Sequence, residues 1–187
     1  MSVVPGGAVE SLQRLRMSYE EYLELPDDVR AEYVDGEVIV TPPARLSHQK
    51  AEMRLGVALS NALPGLIVVA EAGLSTAPTR KRIPDLMVLE EADGDQIFAE
   101  ETPLVVVEVL SPSTRNEDVF RKTVEYERAG VGQYWILDRD AGTLTVLTRG
   151  EDGWEVGLEL SATTPRGEVA IGGHGTVPLD LEELLRP

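Results

Sequence analysis

Residues 104–110 read Leu-Val-Val-Val-Glu-Val-Leu. A continuous apolar run of this kind predicts a strand covered on both faces, as inside an α/β sheet. One acid interrupts it. Alternation places Glu108 on the same face as Leu104, Val106 and Leu110. A carboxylate enclosed there costs several kcal/mol unless a cation, a metal or hydrogen-bond donors offset the loss of water. The local pattern leaves two readings open: a strand-end Glu paired to an Arg, or a member of a functional site.

Upstream, Ile83-Pro84-Asp85 precedes Leu86-Met87-Val88-Leu89, which sets Asp85 at the mouth of a second strand. Pro-Asp alone is usually turn chemistry. Beside Glu108 it means more, because two carboxylates on neighbouring strands make a site for a hard cation. Asp93-Gly94-Asp95 between them is a turn signal that lets the two strands pair. Downstream, Glu117–Ala129 reads as a helix closed by Gly130. It carries Lys122, one of three lysines in the chain. A lysine is a compact cation whose pKa can be tuned, which suits a place near an activated water. The competing reading is a surface i,i+4 pair between Asp118 and Lys122.

Glu32 and His48 are weaker candidates. Glu32 precedes a strand and can reach the same site from the N-terminal helical region. His48 lies in the first turn of a helix and has no second His at metal-ligand spacing, so a zinc site is not expected. Arg80-Lys81-Arg82 is a basic run immediately before Asp85, and with His48 it is a candidate substrate contact. Solvated surface is the plainer reading of such a run.

Around these residues the chain punctuates itself clearly. Residues 1–17 form an N-terminal extension with a frayed start, and 18–187 a single domain. Ser18 caps a helix over Tyr19–Leu25. Pro26 with Asp27-Asp28 ends that helix or begins a second short one through Glu32. Tyr33–Val40 is a hairpin about Asp35-Gly36. A helix capped by Ser47 runs to about Leu63, where Pro64-Gly65 stops it. A strand over Leu66–Glu71 extends to about Ala77. Further strands cover 133–138, 143–148 and 154–160, and a short helix covers 179–185. The fold class is α/β, a central mixed sheet flanked by helices.

Composition bounds the rest. The chain has 187 residues and no Cys, which excludes disulfides, thiolate metal sites and cysteine nucleophiles. Its apolar runs are too short to span a bilayer and its start has no signal pattern, so a cytoplasmic protein without a membrane partner is expected. No phosphate loop, dinucleotide fingerprint or serine elbow is present. The net charge of −16 counts against a nucleic-acid partner, since such affinity comes from cations that replace phosphate counterions. Distribution matters more than the sum.

The assembled segments resemble the Uma-two family of the PD-(D/E)XK nuclease superfamily. They are 31–37 (Ala-Glu-Tyr-Val-Asp-Gly-Glu), Pro42-Pro43 with His48, and Ile83-Pro84-Asp85. They continue with 107–114 (Val-Glu-Val-Leu-Ser-Pro-Ser-Thr), Asp118, Lys122, and 126–138 ending in Tyr-Trp-Ile-Leu-Asp. The resemblance implies a restriction-endonuclease-like core. It also implies Mg²⁺ or Mn²⁺ on Asp85, Glu108 and the Val109 carbonyl, with Glu32 as an acid for a second ion. Asp85, Glu108 and Lys122 become the expected catalytic set of an endonuclease cutting phosphodiester bonds, in DNA rather than RNA. There is one departure: Leu110 stands where the superfamily has its lysine, and Lys122 on the following helix matches the displaced one. Two other readings stand beside this: an inactive nucleic-acid or protein binding module, and a structural protein in which an Arg such as Arg121 neutralises Glu108. A homo-oligomer is compatible with all three.

Overall fold

A computed structural model describes residues 12–26, 29–92 and 94–187. Residues 1–11, the Asp27-Asp28 pair and Asp93 lie outside the described residues, and with them most of the expected loose start and part of two turn signals. The chain runs β1 (Gln13–Arg16), α1 (Tyr19–Leu23), β2 (Ala31–Val34), β3 (Glu37–Val40), α2 (Leu46–Ala62), β4 (Ile67–Ala70) and β5 (Gly73–Ala77). There follow β6 (Arg80–Arg82), β7 (Leu86–Leu89), β8 (Phe98–Ala99), β9 (Val105–Val109), a π-helical turn (Glu117–Lys122) and α3 (Thr123–Ala129). The remainder is β10 (Gln133–Asp138), β11 (Thr143–Arg149), β12 (Trp154–Leu160), β13 (Arg166–Ile171), β14 (Gly175–Asp180) and α4 (Leu181–Leu185).

The quoted run becomes β9, in the interior of a sheet ordered β12-β11-β10-β9-β7-β4. It pairs in parallel with β10, Glu108 opposite Ile136, and antiparallel with β7, Val107 opposite Leu86. The π-helical turn and α3 make the crossover that a parallel pair requires. One face of β9 (Val105, Val107, Val109) packs with Trp135, Leu55 and Leu59 in the largest core. The other face (Val106) meets Met87, Tyr126 and Tyr134, with the two tyrosine rings edge to face at 5.1 Å.

Several expectations need correction. The α/β class with a mixed sheet stands, but among the described residues there is a second six-stranded sheet beside the expected one, ordered β1-β3-β2-β6-β5-β8. The strand expected over 66–77 is broken at Glu71, whose φ of 50° no strand sustains, and its halves β4 and β5 enter different sheets. Glu32 lies within β2, not in or after a second helix. Residues 13–16, expected to fray, pair with β3. The helix expected from Ser47 starts at Leu46 with Arg45 at the cap position and no side-chain cap. The hairpin β13-β14 is unanticipated. Other local signals read well: Ser18 and Glu21 form a reciprocal capping box, Asp35-Gly36 turns with both φ positive, and Gly130 closes α3 at φ 88°. Among the described residues no helix is long and apolar enough to cross a membrane.

β10 is seated on the backbone ahead of β9, where Gln133 N–H donates to the Leu104 carbonyl at 2.9 Å. A Cβ added at Gly132 would stand 2.7 Å from that same carbonyl oxygen, whereas one at Gly65 would meet nothing within 4 Å. Gly132→Ala is therefore expected to cost about 1–3 kcal/mol and to lower Tm by several degrees, while Gly65→Ala leaves Tm close to wild type. Thermal unfolding of the two variants checks this; equal Tm values would mean that the seating is looser than described.

Candidate metal centre and active site

β7 and β9 bring their acids to one level. Asp85 immediately precedes β7, and its Oδ2 accepts the Val109 N–H at 2.7 Å, which fixes it against the end of β9. Glu108 is 3% exposed. Its Oε1 accepts from Lys122 Nζ at 2.8 Å and from the Tyr126 hydroxyl at 2.9 Å. The structural reading that paired Glu108 with Arg121 fails here: Arg121 is largely exposed and meets Glu117 instead.

Lys122 is the last residue of the π-helical turn. Within that turn the Asp118 carbonyl accepts from the Tyr134 hydroxyl at 2.9 Å, and such bulges recur at functional sites. The expected surface pair is in fact buried: Asp118 and Lys122 are 2% and 5% exposed. Lys122 Nζ lies 3.2 Å from Asp118 Oδ1 and 3.0 Å from Glu32 Oε1. Glu32 in turn accepts from the Ile83 amide at 3.1 Å and from Arg82 at 2.9 Å. Both its oxygens are thus engaged within the protein, which suits holding Lys122 more than binding a second ion.

The basic run is not a free patch. Arg82 is 1% exposed and forks between Glu32, Glu117 and Glu125. Arg80 pairs with Asp35 at 2.6 Å, and the buried Lys81 donates to Ser75 Oγ at 2.6 Å. All three charges meet partners within the chain, and none of the three residues lines the cavity that holds Asp85 and Glu108.

Burial and charge act together on these groups. Burial pushes the Glu108 carboxyl up; Lys122 opposes this, but Asp118, Asp85 and Glu32 push further, and the result is well above the ordinary carboxylate range. Lys122 is held well above its usual value: burial works against its charge, and Glu108, Glu32 and Asp118 outweigh it. Burial also raises Glu32, yet Lys122, Arg82 and the Ile83 amide bring it down to about 2. Four buried acids (Glu32, Asp85, Glu108, Asp118) stand about Lys122, with Arg82 on Glu32 and Arg30 3.6 Å from Asp85, so the acids still outnumber the cations. That donor set fits a divalent cation.

A cavity of about 580 Å³ collects the expected residues: Asp85, Glu108, Val109, Lys122, Glu32 and His48 all line it, whereas Arg80, Lys81 and Arg82 do not. Arg30, Arg45 and Arg139 also line it. Arg30 sits 3.6 Å from Asp85 Oδ1 and 3.4 Å from Glu71. Sequence reasoning passed over Arg30 and Glu52, and read Asp118 only as a helix partner of Lys122 and a family match. For Glu52 a signal was available: the buried face of α2 reads His48, Ala51, Glu52, Leu55, Leu59, an acid inside an apolar stripe.

The structure of a "putative nuclease belonging to DUF820" from Anabaena variabilis superposes with a TM-score of 0.72, over 90% of this chain and 97% of that one. At 17% identity this shows a common fold. The Uma2 family, described as "Putative restriction endonuclease", matches residues 19–176, and the chain belongs to it. No curated protein matches the chain.

Lys122→Met removes the cation shared by Glu32, Glu108 and Asp118, and is expected to destabilise the fold by about 3–5 kcal/mol near pH 8. In wild type, Glu32 at about 2 when folded against 4.5 when free gives stability that is present above pH 4.5 and lost towards pH 2. In the variant the three carboxyls lose that partner and their folded values rise. A raised carboxyl favours the folded state only when protonated, so the deficit shrinks as pH falls towards 5. Urea unfolding at pH 8 and pH 5 checks this; a deficit independent of pH would assign Lys122 a packing role only.

Proposed function

We propose that the chain is a divalent-metal-dependent endonuclease that hydrolyses phosphodiester bonds, with DNA as its polymer. The observation that carries this reading is the meeting of Asp85, Glu108 and Lys122 in one cavity, within a nuclease family. Asp85, Glu108 and the Val109 carbonyl would hold Mg²⁺ or Mn²⁺. The ion, when bound, supplies neutralisation of charge developing on the phosphate oxygens.

The remaining work falls to the chain's own groups. Lys122 stays cationic and sets its charge beside the attacking water or a phosphate oxygen. Tyr126 and Lys122, both donating to Glu108 Oε1, hold that carboxylate in one orientation. Glu32 keeps Lys122 in place from β2. Arg30, Arg45 and Arg139 supply phosphate contacts around the cavity. Locally gathered cations of this kind let a chain of net charge −16 take a polyanion. A second reading, a binding module without turnover, is favoured by Leu110 at the position of the superfamily's lysine.

Supercoiled DNA, single-stranded DNA and RNA, each with Mg²⁺ or Mn²⁺, separate these readings. Wild type is expected to cut DNA and to lose this with EDTA. Asp85→Asn, Glu108→Gln and Lys122→Gln, once shown folded by circular dichroism, are expected to fall about 100-fold or more. Metal binding with no cleavage by wild type would transfer the chain to the binding-module reading. Cleavage equal in all four proteins would overturn the site.

A further inference from the structure

Asp85 offers its two oxygens to different partners. Oδ2 is taken by the Val109 amide, and Oδ1 turns to α2, where it lies 3.3 Å from His48 Nε2. Glu52 Oε2 stands 3.8 Å from the same nitrogen. His48 and Glu52 are i and i+4, which stacks them on one helix face. Ligand atoms of His48, Glu52 and Asp85 all lie within 4.8 Å of one another, and all three residues are buried. His48 is 8% exposed, yet its Nε2 is buried with no hydrogen-bond partner. An imidazolium kept for an ion pair would donate to one of the two carboxylates it faces; here the Asp85 contact has the spacing but not the geometry of a hydrogen bond, and the Glu52 contact is too long for one.

The spacing fits something else. Ligand bonds of about 2.0–2.2 Å at tetrahedral or octahedral angles place donor atoms roughly 3–3.5 Å apart. Separations of 3.3 and 3.8 Å are close to this before any ion draws the groups in.

We propose that His48, Glu52 and Asp85 form a cation position of mixed nitrogen and oxygen donors that selects a transition-metal ion such as Mn²⁺ over Mg²⁺. An imidazole suits transition metals, while Mg²⁺ prefers oxygen donors and keeps its waters. The position shares Asp85 with the nuclease reading and does not depend on cleavage. It also gives α2 a part in the site, which places the metal against the helix side of β7.

Mn²⁺ is the probe, added to the full chain and followed by isothermal titration, with pulsed electron paramagnetic resonance to detect directly bound nitrogen. Wild type is expected to bind Mn²⁺ at least 10-fold tighter than Mg²⁺ and to show ¹⁴N coupling. His48→Asn is expected to remove the coupling and weaken Mn²⁺ at least 10-fold, with Mg²⁺ changed less than 3-fold. Glu52→Gln is expected to weaken Mn²⁺ and keep the coupling. His174→Asn, altering the chain's other histidine, which faces Glu90, changes neither. Mn²⁺ bound to wild type without ¹⁴N coupling overturns the proposal, as does unchanged Mn²⁺ affinity in folded His48→Asn. ¹⁴N coupling in a wild type that cuts no nucleic acid supports this site while the nuclease reading fails.

Discussion

One ammonium group holds together acids from three parts of the chain. Lys122 Nζ contacts Glu108 from β9, Glu32 from β2 and Asp118 from its own π-helical turn. β2 and β9 belong to different sheets, so this contact joins the two through charge. Arg82 continues the joint from β6 to Glu32, Glu117 and Glu125. Taking so many charges from water is costly, and each cation is needed because removing it strands several acids. Such an arrangement contributes less stability than an apolar core of the same volume would. What it supplies is a fixed set of donors facing a cavity.

Most elements near the site were legible, and for definite reasons. The apolar run of 104–110 and the caps and glycines at Ser18, Asp35-Gly36 and Gly130 are local signals that tertiary context did not override. Glu108 stood out because an acid inside that run has no inexpensive explanation. The errors have physical causes too. Glu71 carries no turn signature, since its left-handed backbone is imposed by its surroundings, where its N–H donates to the Asp85 carbonyl at 3.0 Å. The π-winding of 117–122 leaves no mark in helical periodicity, so Asp118 and Lys122 read as a surface pair. Arg80-Lys81-Arg82 read as a patch because sequence shows charge but not which acids lie opposite.

Net charge was the clearest obstacle to a nuclease, and the structure changes its weight. Much of the acid near the site is engaged with the chain's own cations, while arginines from three separate segments line the cavity. The remaining local deficit of positive charge lies at Asp85, Glu108 and Asp118, where a divalent ion would meet it.

The central claim is that the cavity holds a divalent ion on Asp85. Anomalous diffraction at the manganese edge, from crystals of the wild-type chain grown with Mn²⁺, tests it most directly. A peak at ligand distance, about 2.0–2.6 Å, from Asp85 Oδ1 is expected. A fully formed cavity with no anomalous density, in crystals that contain Mn²⁺, would contradict it.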